Sequence, residues 1–343
     1  MCYFYCQNIE DNIMFKIEKL NQLTGHKDSV YTLAAIANTN IIFSAAADGY
    51  VVRWNLSKNI DNQLVTEQKI TEQETIGKVI AKIGSSIYAL HLVTEKNYLV
   101  VGHNTDGIHI IDLVNEQEIF SAGFTKSAIF DIKHLGSDLF IACGDGNVMI
   151  IDLETFSLKK ILSFSQQSAR CIAICAQKNE IAIGYSDNHI RIFDSINYTQ
   201  KADFEAHTNS VFTLTYSPDN QYLLSGSRDA HLKIWQIQTE NNENANSNYI
   251  LYQDTVAHLF TINHLVYSPN GEFFATCSKD KSIKLWQSSD FRLVKVIDKG
   301  RHAGHGTSIN KLLWLDNQIL VSCSDDRTIV IWEISVVNMK SDV

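Results

Sequence analysis

One short pattern recurs four times in this 343-residue chain. Each copy has a serine or threonine in an apolar run, an aspartate four residues later and a tryptophan six residues after the aspartate. The stretch "LLSGSRDAHLKIWQI" is one copy, with Asp229 and Trp235. The other copies have Asp48 and Trp54, Asp280 and Trp286, and Asp326 and Trp332. Fixed internal spacing predicts an array of one repeated unit, in place of the two domains that length alone suggests.

The distance between units predicts their architecture. The third strands of seven successive units are predicted to end at Trp54, Ile111, Ile151, Phe193, Trp235, Trp286 and Trp332. A period of about 40–45 residues with several short alternating strands is typical of a propeller blade. We therefore predict an all-β fold, a single seven-bladed β-propeller of four-stranded antiparallel blades.

Polar segments account for the two longest intervals. "NLSKNIDNQ" follows Trp54, and the Asn-rich segment "TENNENANSN" (Thr239–Asn248) follows Trp235. Because the Asn-rich segment has no large apolar residue, it is predicted to be a solvated loop. Pro218 and Pro269 stand in "YSPDN" and "YSPNG", which are predicted tight turns between the first two strands of blades five and six.

A Gly-His or Ala-His pair precedes each full repeat, and its histidine lies 21 or 22 residues before the aspartate. With the other motifs, this chain resembles the WD40-repeat family from about residue 14 onward. The resemblance implies a buried, mutually hydrogen-bonded tetrad in each of these four blades. The implied tetrads are His26, Ser44, Asp48 and Trp54; His207, Ser225, Asp229 and Trp235; His258, Thr276, Asp280 and Trp286; and His305, Ser322, Asp326 and Trp332.

Blades two to four depart from this pattern. They have Ile111, Ile151 and Phe193 in place of tryptophan and no upstream histidine, so we expect apolar blade cores. His103 in "VGHNTDG" follows a glycine but stands just before a hairpin turn, and we interpret it as a solvated turn residue.

The last blade has only three recognisable strands after His305. The family resemblance implies that the chain start supplies the fourth, in "FKIEKLNQL" (Phe15–Leu23), which removes an exposed sheet edge. We expect a propeller over 14–338, an N-terminal extension over 1–13 with Met14 as an alternative start, and a C-terminal tail over 339–343.

The composition excludes some classes of function. A net charge of -9 without a basic run argues against a nucleic-acid binder, and no apolar run is long enough to cross a membrane. The N-terminus lacks the pattern of a secretory signal, so we expect a cytoplasmic protein with seven reduced cysteines. Cys277 and Cys323 recur at one repeat position, which favours small buried core residues.

Catalytic motifs are absent from the sequence, and we expect no enzyme, no cofactor and no metal. His302 and His305 lie near Asp325 in the predicted fold, but His305 is already assigned to a tetrad. An enzyme or small-molecule binder at the channel mouth remains an alternative, because a fold does not determine a function.

The family resemblance also implies which residues surround the channel mouth. They follow the apolar residue that opens each blade's first strand: Tyr31, Tyr88, Phe130, Arg170, Phe212, Asn263 and Asn310. Such a ring can stack on a ligand and fix polar groups. Two alternatives stay open: the rings plug the channel, or Arg170 stacks on them within the molecule.

A second set of residues precedes the turn aspartates on the same face: Ala47, Gly144, Ser186, Arg228, Lys279 and Asp325. In blade two, where the hairpin is one residue shorter, Thr105 is the nearest candidate. Arg228 and Lys279, together with Arg170, suggest a basic arc that would favour an acidic segment of a partner. Alternatively, these charges are merely solvated.

We interpret the chain as a monomeric scaffold that binds a protein or peptide through the face with the histidine loops and through the channel mouth. A subunit that contacts partners through its rim is the second alternative.

Overall fold

The computed structural model describes residues 13–56, 77–105, 107–239 and 247–338. Four predicted features therefore fall largely or wholly outside the described residues: the N-terminal extension, the polar segment after Trp54, most of the Asn-rich loop and the C-terminal tail. Strands β20 and β21, defined below, reach Thr239 and Ser247, so the ends of the Asn-rich segment belong to a hairpin and the loop prediction was wrong there.

The regular secondary structure of the described residues is almost entirely β-strand. The exceptions are one four-residue helix, α1 (Lys299–His302), and two 3₁₀ turns, Thr94–Lys96 and Ala176–Lys178. In chain order the strands are β1 (Ile13–Leu23), β2 (Val30–Ala35), β3 (Ile41–Ala46), β4 (Tyr50–Asn55), β5 (Lys78–Lys82), β6 (Ile87–Val93), β7 (Tyr98–His103), β8 (Ile108–Asp112), β9 (Gln117–Ala122), β10 (Ile129–Leu135), β11 (Asp138–Cys143), β12 (Asn147–Asp152), β13 (Leu158–Ser163), β14 (Ala169–Cys175), β15 (Glu180–Tyr185), β16 (His189–Asp194), β17 (Gln200–Glu205), β18 (Val211–Tyr216), β19 (Tyr222–Ser227), β20 (His231–Thr239), β21 (Ser247–Val256), β22 (Ile262–Tyr267), β23 (Phe273–Ser278), β24 (Ile283–Gln287), β25 (Leu293–Ile297), β26 (Ile309–Trp314), β27 (Ile319–Ser324) and β28 (Ile329–Asn338). None of the described helices is long and apolar enough to cross a membrane.

The strands form seven four-stranded antiparallel sheets. Six sheets are consecutive meanders, from β2–β5 to β22–β25, and the seventh has the order β1-β28-β27-β26. The first strands of neighbouring sheets contact one another in a closed cycle that returns from β26 to β2. This confirms the predicted seven-bladed β-propeller.

The blades pack face to face, and this explains why their second strands are apolar on both sides. Every residue of β15 is buried, and five of six residues are buried in β7, β11, β19 and β23. The outer strands β9 and β13 are mostly exposed. A strand buried on both faces needs a continuous apolar run, as in "DLFIAC" of β11, instead of the alternation of a half-buried strand.

Small residues mark the places where blades approach most closely. A Cβ atom added to Gly226 would lie 2.8 Å from the Ile262 Cγ2 atom of the next blade. Cys277 and Cys323 occupy the same position in their own blades and are fully buried. Their recurrence therefore follows from the space available between blades.

Strand β1 closes the ring by pairing with β28, from Ile13 opposite Asn338 to Leu23 opposite Ile329. Phe15 of this strand is 6% exposed, and its ring meets Phe273 of the neighbouring blade edge to face at a centroid distance of 5.2 Å. The closing strand thus belongs to one blade and packs against the next.

We predict that Phe15→Ala lowers the free energy of unfolding by about 3–5 kcal/mol, because a buried aromatic side chain leaves a cavity between two blades. The exposed neighbour Lys16 is the matched control, and Lys16→Ala should change stability by less than about 1 kcal/mol. Urea titrations of both variants measure the difference. Equal stability of the two variants would show that the closing strand contributes little.

Candidate functional site

Hydrogen bonds link four side chains inside each of four blades. In blade five the Trp235 indole N–H donates to Ser225 Oγ at 2.9 Å, and Ser225 Oγ lies 2.8 Å from His207 Nε2. His207 Nδ1 lies 3.0 Å from an Asp229 oxygen. The same bonds join His26, Ser44, Asp48 and Trp54; His258, Thr276, Asp280 and Trp286; and His305, Ser322, Asp326 and Trp332.

The donor count in a tetrad determines its protonation. The serine hydroxyl accepts the indole N–H, and Nε2 of the histidine is the one acceptor in reach of its single hydrogen among the described residues. The hydroxyl therefore donates to Nε2, which is unprotonated. The proton on Nδ1 then donates to the aspartate. Burial lowers the pKa of His207 and His258 despite their aspartates, in agreement with a neutral ring. Although burial opposes it, hydrogen bonds from His207 and backbone amides hold the pKa of Asp229 well below its usual range.

Each tetrad aspartate also fixes the loops around it. Asp229 accepts the backbone N–H of Thr208, next to the tetrad histidine, and that of His231, just after the hairpin turn, both at 3.0 Å. We call the face that carries these histidine loops and turns the top face. Because one carboxylate holds a loop and a turn together, four blades present the top face as rigid structure.

Blades two and four contain polar networks that the sequence did not indicate. His103 is 2% exposed at the end of β7, so its interpretation as a solvated turn residue was wrong. Its Nδ1 atom lies 2.9 Å from Ser85 Oγ and its Nε2 atom 3.1 Å from His109 Nε2. In blade four, buried Arg191 pairs with Asp187 and Asp203. Tryptophan-position residues Ile111, Ile151 and Phe193 are buried as expected.

A β-bulge in every blade aims one side chain at the channel mouth. The pairing of each first strand with its second strand skips one residue directly after the first pair. The skipped residues are Tyr31, Tyr88, Phe130, Arg170, Phe212, Asn263 and Asn310, and all seven line the central cavity. A bulge redirects the side chain of its extra residue, so the structure supplies a physical reason for this ring.

Five members of the ring form one continuous stack. The centroids of Tyr31 and Tyr88 lie 5.0 Å apart, and those of Tyr88 and Phe130 lie 5.9 Å apart. The Arg170 guanidinium lies between Phe130 and Phe212, at 4.0 and 4.2 Å from their centroids. Arg170 is therefore an intramolecular stacking partner of these rings.

The two asparagines complete the ring through hydrogen bonds to neighbouring blades. Asn263 donates to the Ile309 carbonyl at 2.8 Å, and Asn310 donates to the Val30 carbonyl at 2.9 Å. Asn310 also donates to Asp325 at 2.8 Å, which uses that carboxylate within the molecule.

The turn positions around the ring require one correction. The backbone N–H before each turn bonds to a carbonyl of the preceding loop, as Arg228 does to Ser210 at 3.0 Å. In blade two this bond comes from Asn104 to Ser86, so Asn104 takes the place assigned to Thr105. Arg228 and Lys279 are exposed, whereas Ala47, Gly144 and Ser186 offer no charge.

Two exposed apolar residues on the top face were missed. Leu259 and Phe260 follow His258 and are 82% and 58% exposed. The Leu259 amide donates to Asp280, which fixes the loop beneath them. Their signal in the sequence was the "HLF" that replaces the polar residues after the other tetrad histidines.

Comparison with known proteins relates the four tetrad blades to one family. The model for the WD40 family, described as "WD domain, G-beta repeat", matches residues 17–55, 198–236, 251–287 and 298–333. Each matched segment contains one complete tetrad.

Similar chains cover most of the propeller. The chain is 23% identical to Actin-interacting protein 1 of Drosophila melanogaster over 327 residues, which cover 94% of this chain and 49% of that protein. It is 25% identical to the Striatin homolog of Dictyostelium discoideum, over 76% of this chain and 26% of that protein. The chain thus spans half or less of these relatives. The solved WD40 beta propeller domain of Doa1 has the same fold, with a TM-score of 0.74 at 17% identity and coverage of 93% and 97% of the two chains.

We predict that acid destabilises the propeller from about pH 6.5 downward. Buried histidines with lowered pKa values, such as His207, His258 and His264, bind protons more readily when unfolded, so stability is lost below their unfolded pKa of about 6.5. Asp229, Asp280 and Asp326, whose pKa values are also lowered, add a further loss below about pH 4. Urea titrations at constant ionic strength should show a loss of about 2 kcal/mol or more between pH 7.5 and 5.5. Unchanged or rising stability over this range contradicts neutral tetrad histidines.

Proposed function

We propose that this WD40-repeat β-propeller is a protein-binding scaffold without enzymatic activity, and that its top face binds an acidic segment of a partner around Arg170. The observation that carries this proposal is the position of the Arg170 guanidinium between two phenyl rings.

Stacking orients the guanidinium and leaves its edge available. Phe130 and Phe212 cover its two faces, and the N–H groups form no hydrogen bond with another residue in the described ranges. A planar guanidinium with free N–H groups can bind a carboxylate through two parallel hydrogen bonds. Because the rings already restrict the side chain, binding loses little further rotamer entropy. The stack agrees with aromatic residues that only fill the channel. It equally supports Arg170 as the residue that anchors a partner, because stacking holds the guanidinium in place.

The surroundings of Arg170 match an acidic segment. Arg228 and Lys279 are exposed on neighbouring turns, and neither side chain has a hydrogen bond or ion pair among the residues described. Burial lowers the pKa of Arg170, and the charge of Arg228 lowers it further. A basic arc on a chain of net charge -9 would steer an acidic segment to this face. Leu259 and Phe260 offer an apolar contact next to the arc.

The relatives support protein binding in general. One is named for interaction with actin, and the chain spans about half of it. We transfer to this chain only the general property of binding another protein, because the relatives share fewer than one residue in three over most of its length.

The rim is the second candidate surface, and one observation favours it. Outer strand β21 of blade five exposes Leu251, Tyr252 and Val256, at 45%, 57% and 68% of their surfaces. Exposed apolar residues on an outer strand can bind a partner, although single ones need no explanation.

We predict that Arg170→Met weakens binding of a partner at least about tenfold, because the unbranched side chain keeps the stack but removes the charge and the N–H groups. The affinity of Arg170→Lys should lie between those of the wild type and Arg170→Met, since lysine keeps the charge but lacks the planar guanidinium. The partner is captured from native lysate by the wild-type chain and purified, and its affinity is measured for each variant.

Tyr252→Asp on the rim is the control, and it should bind like the wild type. All variants must first show the same melting temperature. Capture of no partner, or binding that survives Arg170→Met but is lost in Tyr252→Asp, contradicts the proposal.

A further inference from the structure

The mouth ring and the residues that follow it along the first strands line a central cavity of about 490 Å³. First strands of all seven blades line it, and its size lies within the range of small-molecule pockets. We call the part lined by Asp131, Lys133, His264 and Lys311 the central chamber. These residues come from three blades, and each stands one or three positions after the bulge residue of its strand.

The charges that line the cavity do not balance. Lys133, Arg170 and Lys311 are cationic, and Asp131 is the one carboxylate among the described lining residues. Two positive charges are left over, in a chain whose overall charge is strongly negative. An excess of this sign inside the channel cannot follow from the composition of the chain.

Asp131 is already occupied. It accepts from the Lys133 ammonium at 2.9 Å, from the Ile172 backbone N–H at 2.9 Å and from its neighbour Ile132 at 3.0 Å. Lys311 forms no hydrogen bond or ion pair with any residue in the described ranges. Burial lowers the pKa of Lys311, and the charge of Lys133 lowers it further, while Asp131 opposes the shift. Lys311 therefore shares the negative charge of Asp131 with Lys133 and has no counterion of its own among the described residues.

His264 adds a neutral donor to the chamber. Its Nδ1 atom accepts the Leu312 backbone N–H at 3.3 Å, so the ring proton lies on Nε2. His264 lines the cavity, and its Nε2 atom forms no hydrogen bond with another described residue. Burial, followed by the charges of Lys311 and Lys133, lowers the pKa of His264 and keeps the ring neutral.

We propose that the central chamber binds a small dianionic oxyanion of the phosphate class, held by the Lys311 and Lys133 ammonium groups and the His264 Nε2–H. In the chamber the two ammonium groups exceed the one carboxylate by one positive charge, and Arg170 at the mouth of the same cavity supplies the second, so a dianion balances the cavity as a whole. Compact ammonium groups bind phosphate as point charges, whereas a planar carboxylate is better matched by a guanidinium. The cavity is larger than one phosphate requires, so the ligand is either free phosphate or the phosphate group of a small ester.

The test is calorimetric titration of the purified full chain at pH 7.5, in phosphate-free buffer at constant ionic strength. Inorganic phosphate, phenyl phosphate and acetate are the probes. We expect saturable binding of a phosphate probe at one site and weaker binding of acetate. Tighter binding of phenyl phosphate identifies an ester as the ligand, and tighter binding of inorganic phosphate identifies the free ion.

Lys311→Met should weaken phosphate binding at least about tenfold, because it removes a charge-assisted contact. The variant should melt no lower than the wild type, since the buried charge is gone. His264→Asn keeps an acceptor for the Leu312 amide and loses the Nε2 donor, so it provides a second variant. Lys27→Met removes the same charge from an exposed side chain of the top face and should bind phosphate within about twofold of the wild type.

Three results would overturn the proposal: no saturable binding of either phosphate probe, equal loss in Lys311→Met and Lys27→Met, or acetate binding as tightly as phosphate. The experiment contains no protein partner. Its outcome is therefore independent of the binding proposed for the top face.

Discussion

The hydrogen bond between a buried, neutral histidine and a partly buried aspartate is the interaction on which the top face depends. In blade five, Asp229 holds His207, the amide after it and the amide after the hairpin turn. A loop and a turn that are distant in sequence thereby become one rigid unit. Serine and tryptophan extend the bond into the blade, so every buried polar atom of the tetrad has a partner.

Because the blades are rigid, the centre of the molecule can hold polar and charged groups whose N–H donors are not all bound by other described residues. The bulges direct seven side chains to the mouth, and most of these side chains satisfy one another through stacking or hydrogen bonds to the next blade. Arg170 is the exception, because its faces are covered while its N–H groups remain available. Lys311 is a second exception, deeper in the channel. Cations without a partner among the described residues, held in a fixed scaffold, are suited to binding anions. Because the chain as a whole is strongly negative, their position at the centre is not explained by its composition.

Much of this was predictable from the sequence because the repeat encodes it. The positions of the histidine, hydroxyl, aspartate and tryptophan residues fix a strand register, and the repeat period gives the number of blades. The mouth positions were implied by the family resemblance. The failures occurred where a blade departs from the period. Because the hairpin of blade two is shorter, the prediction placed the turn position at Thr105, whereas the structure has it at Asn104. In the same blade His103 follows a glycine just before the hairpin turn, and its burial was not predicted.

The central chamber could not be predicted from the repeat. Asp131, His264 and Lys311 lie in three different blades, and only the closure of the ring brings them around one cavity. The stacking of Arg170 between residues of blades three and five likewise depends on the angle between blades, which no single repeat specifies.

Site-specific photo-crosslinking tests the binding face most directly. A photoreactive phenylalanine analogue at Phe260 samples the top face, and the same analogue at Tyr252 samples the rim, since both positions are more than half exposed. A partner that binds around Arg170 is predicted to crosslink from position 260 and not from position 252. Crosslinking from position 252 alone would contradict a top-face site and assign the contact to the rim.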